Sequence, residues 1–463
     1  MEKDLISVVF ERCCGLDIHK KMIVACLLLR GANGHLKKET RTFSTMTTGL
    51  LELLDWLKGA RCTHVAMEST GVFWKPIYNV LEGEMEVLLV NAQHIKAVPG
   101  RKTDVKDAEW IASLLQHGLL NASFIPPRPQ RELRELTRTR KTLIEERARI
   151  VNRMQKVLED ANIKLSSVVT DITGKTARQI LHAMLEGEQD QETLAGMARG
   201  KLRSKQPQLA QAVQGTLRAH HRFVLSQHLA HLDFLSQQIE AFDQQIAEQL
   251  GLGNGPEDPE PSPSSKQAAK AASQDVQSEE IVEEEEGQTR LLGEHRQDLR
   301  RAIERLDAIT GISLRTAEVV VAEIGIQMER FPTEEQLASW AGLCPGNKVS
   351  AGKRLSGKTT KGNRWLRTAL IEAAQGAASS KGTFLGAYYR RLCQRMGRKK
   401  AIVAVAHRIL LIIYHVLKED EPFRELGEQY ASEKERETTK RRALRRLEQL
   451  GYQVQLQQAA ETA

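Results

Sequence analysis

Over residues 5–125 short apolar runs alternate with amphipathic ones. Ser7–Leu16 and Met22–Leu29 are dense in Val, Ile, Leu and Cys. They read as strands, and the polar stretch Asp17-Ile18-His19-Lys20-Lys21 between them predicts a hairpin. Leu50–Lys58 reads as helix, His64–Glu68 as a short strand, Val72–Leu81 as helix and Glu86–Val90 as strand. Thr103–Gly118 follows as a helix with Val105, Ala108, Ile111, Ala112 and Leu115 on one face. Strands interleaved with helices predict an α/β domain with a mixed sheet over 1–125.

Pro126-Pro127-Arg128-Pro129 closes that domain, because consecutive prolines cannot enter a helix interior. Residues 126–254 then read as helical. Leu136, Leu143, Ile150 and Val157 recur every seven positions, shadowed by Ile144, Val151 and Leu158. Leu225, Leu232, Ile239 and Ile246 form a second series, flanked by Leu235 and Phe242. Both fit long helices of a coiled coil, either folded back within one subunit or paired between two. Residues 255–289 read as an acidic disordered linker, since they offer almost no large apolar side chains to offset ordering entropy. Residues 290–420 read as a second, mainly helical domain, and 421–463 as a charged tail, helical near Lys434–Leu450.

Charge sharpens this picture. The 463 residues carry a formal +8. Residues 255–287 hold ten acids against two lysines, so they carry −8 and the remainder carries +16. A body that basic predicts a polyanionic partner. The longest apolar stretch, Ala401–Leu417, is broken by His407, Arg408 and His415, so no membrane span is expected, and Met1-Glu2-Lys3-Asp4 lacks the plan of a signal peptide. The six cysteines form no CxxC pair and predict reduced, mostly buried thiols of a cytoplasmic protein.

Three constellations could carry chemistry. Asp17 and Glu68 each sit at the end of an expected strand, and Asp104 and Asp107 lie three apart near a helix start. If the two strands are neighbours, four carboxylates converge on an all-oxygen site suited to Mg²⁺. The bland alternative makes each acid a turn or capping residue. Glu68 resists that reading, because an acid ending an apolar strand is costly to bury without a partner. The second constellation spans Lys348–Arg367, with seven cations (Lys348, Lys353, Arg354, Lys358, Lys361, Arg364, Arg367), no acid, and hydroxyls at Ser350, Ser356, Thr359 and Thr360. Glycines at 352, 357 and 362 let such backbone approach phosphates closely. A serine here could also be a nucleophile, but no His or Asp stands beside Ser350 to activate it. The third is Leu306–Ser313, whose Thr310-Gly311 turn between helices is a weak match to a helix-hairpin-helix phosphate contact and equally an ordinary helical hairpin.

Together these motifs resemble the bacterial insertion-sequence transposases of the one-hundred-ten group and their eleven-eleven relatives, the DEDD transposases described as bridge-RNA-guided recombinases. The resemblance rests on Gly15-Leu16-Asp17, Met67-Glu68-Ser69-Thr70-Gly71 and Lys102–Ala108, then on Ala341-Gly342-Leu343-Cys344-Pro345 and Thr360–Arg367. It implies a ribonuclease-H-like (RuvC-like) first domain in which Asp17, Glu68, Asp104 and Asp107 bind Mg²⁺. It also implies a catalytic serine in a mainly α transposase domain. Ser350-Ala351-Gly352 is the better match, favoured by its distance from Pro345, while Ser356-Gly357 keeps the family's dipeptide six residues later. Further implications are a phosphoserine intermediate, DNA at the element ends and target as substrate, a noncoding guide RNA, and a homo-oligomer, dimer or tetramer, aided by the coiled coil. Two rivals remain: a RuvC-like nuclease hydrolysing DNA with two metals, and a non-enzymatic nucleic-acid-binding scaffold.

Overall fold

The computed structural model describes residues 8–31, 35–69, 71–91, 107–252, 295–346, 348–350, 353–356 and 358–452. Asp104 and the acidic segment 255–287 lie outside the described residues. The chain divides into two compact units, Met1–Pro127 and Arg128–Ala463.

In the first unit, β1 (Arg12–Ile18), β2 (Met22–Arg30), β3 (Leu36–Ser44), β4 (His64–Glu68) and β5 (Glu86–Val90) form one five-stranded sheet in the order β3-β2-β1-β4-β5. β2 runs antiparallel to β1 and β3, whereas β4 runs parallel to β1 and β5. This mixed order, with helices on both faces, is compatible with a ribonuclease-H-like domain. The expected hairpin is present, but β3 was not expected. Its sequence, Leu-Lys-Lys-Glu-Thr-Arg-Thr-Phe-Ser, is exposed over most of its length because it is the outer strand of the sheet. Polar alternation on a solvated edge leaves no apolar run to read.

β1 is central, so both of its faces are covered. Cys14, Leu16 and Ile18 pack against α1 (Thr47–Gly59) and α2 (Trp74–Leu81), joined by Leu53, Leu57, Ile77 and Leu81. Cys13, together with Cys26 and Ala66, packs on the other face against Ala108, Ile111, Ala112 and Leu115 of α3 (Asp107–Gln116). Alternation along a strand sends neighbours to opposite faces, which is why β1 reads as one continuous apolar run.

Among the described residues, the second unit is helical apart from one hairpin. α4 (Arg128–Asp160) and α9 (Ala219–Gln249) are its long helices and pack on each other. Between them in sequence lie α5 (Leu165–Val168), α6 (Lys175–Glu186), α7 (Gln191–Gly196) and α8 (Gln206–Ala212). These share a core with the C-terminal half of α4 and the N-terminal half of α9 through Ile150, Met154, Leu158, Ile180, Leu209, Leu225 and Leu232. A second core joins the opposite ends of α4 and α9 to α10 (residues 295–307), α11 (Leu314–Ile324), α12 (Glu334–Trp340), α13 (Arg364–Ser379), α14 (Phe384–Met396) and α15 (Arg398–Glu419). α16 (Gly427–Gln449) follows. The hairpin pairs β6 (Lys348–Ser350) with β7 (Lys353–Ser356).

The α4–α9 seam lies within one chain. On α9 the expected Leu225, Leu232, Ile239 and Ile246 are buried. On α4 the buried positions are Leu133, Thr137, Arg140, Ile150, Met154 and Leu158, while Leu136, Leu143 and Val157 are half-buried. The seam therefore contains a guanidinium and a hydroxyl, and the apolar seven-residue series on α4 coincides with its buried positions only at Ile150. A coiled coil between protomers stays an expectation. α15 is long and apolar enough to cross a membrane by length and composition, with mean hydropathy 1.7. Its Val405, Ala406, Ile409, Leu410 and Ile413 lie in the second core, and Ala401 is buried as well.

Candidate functional site

In the first unit the carboxylates are placed by sheet register and one glycine. The parallel ladder pairs Leu16 with Met67, one residue short of Asp17 and Glu68. Both acids therefore sit at the C-terminal ends of adjacent parallel strands, where α/β sheets commonly bind ligands. Alternation sends both side chains to the α3 face, since Leu16 and Met67 pack on the α1–α2 face. Gly15 brings α3 down onto β1. A Cβ at Gly15 would lie 2.3 Å from both the Ala108 carbonyl and the Ala112 nitrogen, so any larger residue would lift the helix. Asp107 opens α3 directly before Ala108 and is half-buried, as are Asp17 and Glu68. The structure thus draws Asp17, Glu68 and Asp107 to one end of one face. The exposed His19 Nε2 stands 3.2 Å from Asp17 Oδ2. Three carboxylates offer only oxygen donors, which suits a hard divalent cation.

In the second unit the β6–β7 hairpin rises from two glycine-bearing segments pressed together. A Cβ at Gly362 would come within 2.2 Å of the Gly342 nitrogen, and Gly342 itself has φ +70°. Thr360 N–H donates to the Cys344 carbonyl (3.2 Å) and Gly346 N–H to that of Lys358 (2.8 Å), with a bridge between Pro345 and Thr359. Ser350 pairs with Lys353 at the hairpin's far end, whereas Ser356 pairs with Lys348 toward its base. The two candidate serines therefore differ in place. Arg367 Nη1 donates to the Gly342 carbonyl at 2.8 Å and so braces the loop. Lys358, Lys361 and Arg364 are exposed around it. Lys348, Lys353 and Arg354 belong to the hairpin strands.

Beneath the loop lies a buried ionic cluster that the sequence did not reveal. Glu323 is 0% exposed. Its carboxylate takes two hydrogen bonds from Arg138, at 2.7 and 2.8 Å, and one from Asn363 Nδ2 at 2.6 Å. Asn363 Oδ1 meanwhile accepts from Trp365 and Leu366 N–H, both at 3.0 Å, capping α13. Burial pushes the Arg134 guanidinium down to about 10, opposed by Glu323 beside it. One turn earlier on α11, Glu318 faces Arg140 at 2.6 Å; burial raises its carboxyl and the arginine pulls it back. The available signal was two acids set among Val319, Val320, Val321 and Ile324, an apolar run that would bury any charge.

A second missed signal is an acid-free run. Residues 373–418 hold nine Lys and Arg and no Asp or Glu. Arg395, Arg398, Lys399, Lys400 and Arg408 are exposed there, and Arg390 pairs with Glu428 at 2.6 Å.

Among the described residues, the group whose ligand atoms lie close enough together to hold a metal ion is Asp160, His220 and His221. His221 Nδ1 accepts the Arg218 N–H, so its proton sits on Nε2 and is donated to Asp160 Oδ2 at 2.8 Å. That leaves His221 no lone pair for an ion, and the group serves as the cap of α9.

Known proteins match both constellations. A family model for DEDD transposases of the IS110 type matches residues 14–163, and one described as "Transposase IS116/IS110/IS902 family" matches residues 303–390. The chain belongs to the IS110 group of insertion-sequence transposases. The first match contains all four candidate carboxylates, and the second contains Ser350, Ser356 and the basic run of this IS110-group chain. It is similar to the transposase for insertion sequence element IS1111A of Coxiella burnetii, 31% identical over 125 residues, covering 26% of this chain and 34% of that protein. It is also similar to the insertion element IS110 uncharacterized 43.6 kDa protein of Streptomyces coelicolor, 28% identical over 116 residues, covering 25% and 28% respectively. The chain thus spans about a third of the length of the curated relatives it matches.

Proposed function

We propose that this chain cuts and rejoins DNA at the ends and target of a mobile element, with Ser350 as nucleophile and Asp17, Glu68, Asp104 and Asp107 as the residues that hold Mg²⁺. What supports the reading is the position of Asp17 and Glu68 at the C-terminal ends of the adjacent parallel strands β1 and β4, with Asp107 opening α3 on the face they share. Bound there, Mg²⁺ would stabilise the charge that builds on a phosphodiester under attack. Ser350 Oγ, freed of its proton, attacks the phosphorus. The bond to the 3′-oxygen breaks, the base that took the serine's proton returns it to that oxygen, and a 3′-hydroxyl leaves as the DNA becomes joined to the serine. No His or Asp stands beside Ser350 in sequence, so the base that takes its proton comes from elsewhere in the assembly. Lys358, Lys361 and Arg364 hold the backbone beside the hairpin. A noncoding RNA of the element guides the choice of DNA, and the acting form is a dimer or tetramer.

The test mixes the full chain with element-end DNA, its flanking RNA and Mg²⁺, then denatures. A covalent protein–DNA adduct is expected, absent in Ser350→Ala and retained in Ser356→Ala. Asp17→Ala and Asp107→Ala are expected to slow strand exchange by on the order of 10²-fold or more. Clean hydrolysis unaffected by Ser350→Ala would replace this reading with a two-metal nuclease. Normal recombination by the aspartate variants would remove the metal site from it.

A further inference from the structure

A cavity of about 240 Å³ opens between α4, α11 and α13, wholly within the second unit. One wall is the half-buried indole of Trp365. Beside it the Arg138 guanidinium lies 5.8 Å from the ring centroid, its plane fixed by the two hydrogen bonds to Glu323. The volume falls below the roughly 300–1,000 Å³ of sites for drug-sized ligands, so the space suits a single heterocycle. Its cations are already matched. Lys141 pairs with Glu372 at 2.6 Å, Arg138 with Glu323, and Arg315 with Asp243. A cavity so balanced is a poor trap for phosphate. It favours an uncharged planar group with polar edges, able to stack on an aromatic ring and to trade hydrogen bonds with Lys141 and Glu372.

We propose that this cavity receives one unpaired nucleobase, stacked against Trp365, from the strand held by the serine hairpin's loop. The inference rests on the reading of the chain as a nucleic-acid enzyme and adds to it a base-sized subsite. Trp365 stands one residue after the exposed Arg364 and four after the exposed Lys361. A strand whose phosphates meet those two cations passes the cavity mouth. Stacking needs only a π-face, so the site takes a base of any identity, in DNA or RNA.

The test measures fluorescence anisotropy of the full chain with labelled 24-nucleotide single strands, each prepared intact and with every base removed. Tighter binding of the intact strand is expected. Trp365→Ala should cost about tenfold in affinity for the intact strand and leave the abasic strand unchanged. Trp365→Phe should retain most of the preference. Should Trp365→Ala fail to fold, Ala369→Leu, which fills the cavity and spares the indole, should give the same selective loss. DNA and RNA versions of each strand tell which chain supplies the base. Equal binding of intact and abasic strands, or equal weakening of both by Trp365→Ala, overturns the subsite and leaves the nucleic-acid reading standing. No binding of any strand overturns both.

Discussion

Asn363 holds two jobs with one amide, and the two can be separated by mutation. Its oxygen caps α13 while its nitrogen donates to the buried Glu323. Asn363→Ala loses both and is expected to destabilise the protein by about 1–3 kcal/mol. Asn363→Asp keeps the capping oxygen but sets a second carboxylate against Glu323, so a similar loss is expected at neutral pH. Acidification should distinguish them in urea melts: the Asp variant regains stability once it takes a proton, and the Ala variant does not. A fully stable Asp variant at pH 7 would contradict the contact between the position 363 side chain and Glu323. Gly15→Val is expected to cost about 1–3 kcal/mol by overpacking, read as a lower urea midpoint, because the new side chain enters the backbone of α3. Glu68 announced itself in sequence, since it ends an apolar strand. The partners of Glu323 did not, because Arg138 lies 185 residues away and only the fold brings it near.

Among elements, legibility followed burial. β1, β4 and β5 are short apolar runs whose periodicity a sequence displays, whereas β3 shows solvent almost all of its side chains. The α4 seam eluded the seven-residue pattern because Thr137 and Arg140 occupy it, each with its own partner: Thr137 Oγ1 donates to the Leu133 carbonyl, and Arg140 pairs with Glu318 and Asp243. α15 carries a pH-sensitive contact at its end. Hydrogen bonds to Glu419 and then Glu334 raise His415 above its ordinary 6.5. Below 6.5 the imidazole is protonated whether the chain is folded or not, and the contact contributes in full. As pH climbs, the unfolded chain gives up its proton first, and the contribution is gone once pH passes the raised folded value. The melting-temperature gap between wild type and His415→Gln should therefore be widest near pH 6 (roughly the ordinary range of the imidazole) and close on the alkaline side. A gap that widens with pH would contradict the assignment. The β-sheet thiols give a simpler expectation. Burial raises Cys13 and Cys62 to about 12 and Cys14 well above its ordinary value, so all three should resist thiol reagents until the domain unfolds.

At the scale of the molecule, charge is distributed unevenly along the chain. Exposed cations around the hairpin and along 390–408 should make DNA binding strongly salt-dependent, with several phosphates neutralised and the affinity falling by on the order of tenfold or more between 50 and 200 mM salt. A flat response would exclude these surfaces as the contact. Removing residues 255–287, which carry −8, should tighten binding to random-sequence DNA, and an unchanged or weaker affinity would deny that segment a restraining role. The basic run at 348–367 was plain in sequence because glycines and hydroxyls accompany it. The longer one at 373–418 was masked by the apolar residues with which its cations alternate. β3 bears on a different hazard. If the proposed dimer or tetramer gathers on one DNA site, the local concentration of the chain rises there, and an open sheet edge would then invite strand-to-strand zippering between copies. Lys37, Lys38, Glu39 and Arg41 line that rim, so close neighbours meet hydrated charge there in place of a sticky ribbon, and crowding on the substrate need not end in fibres.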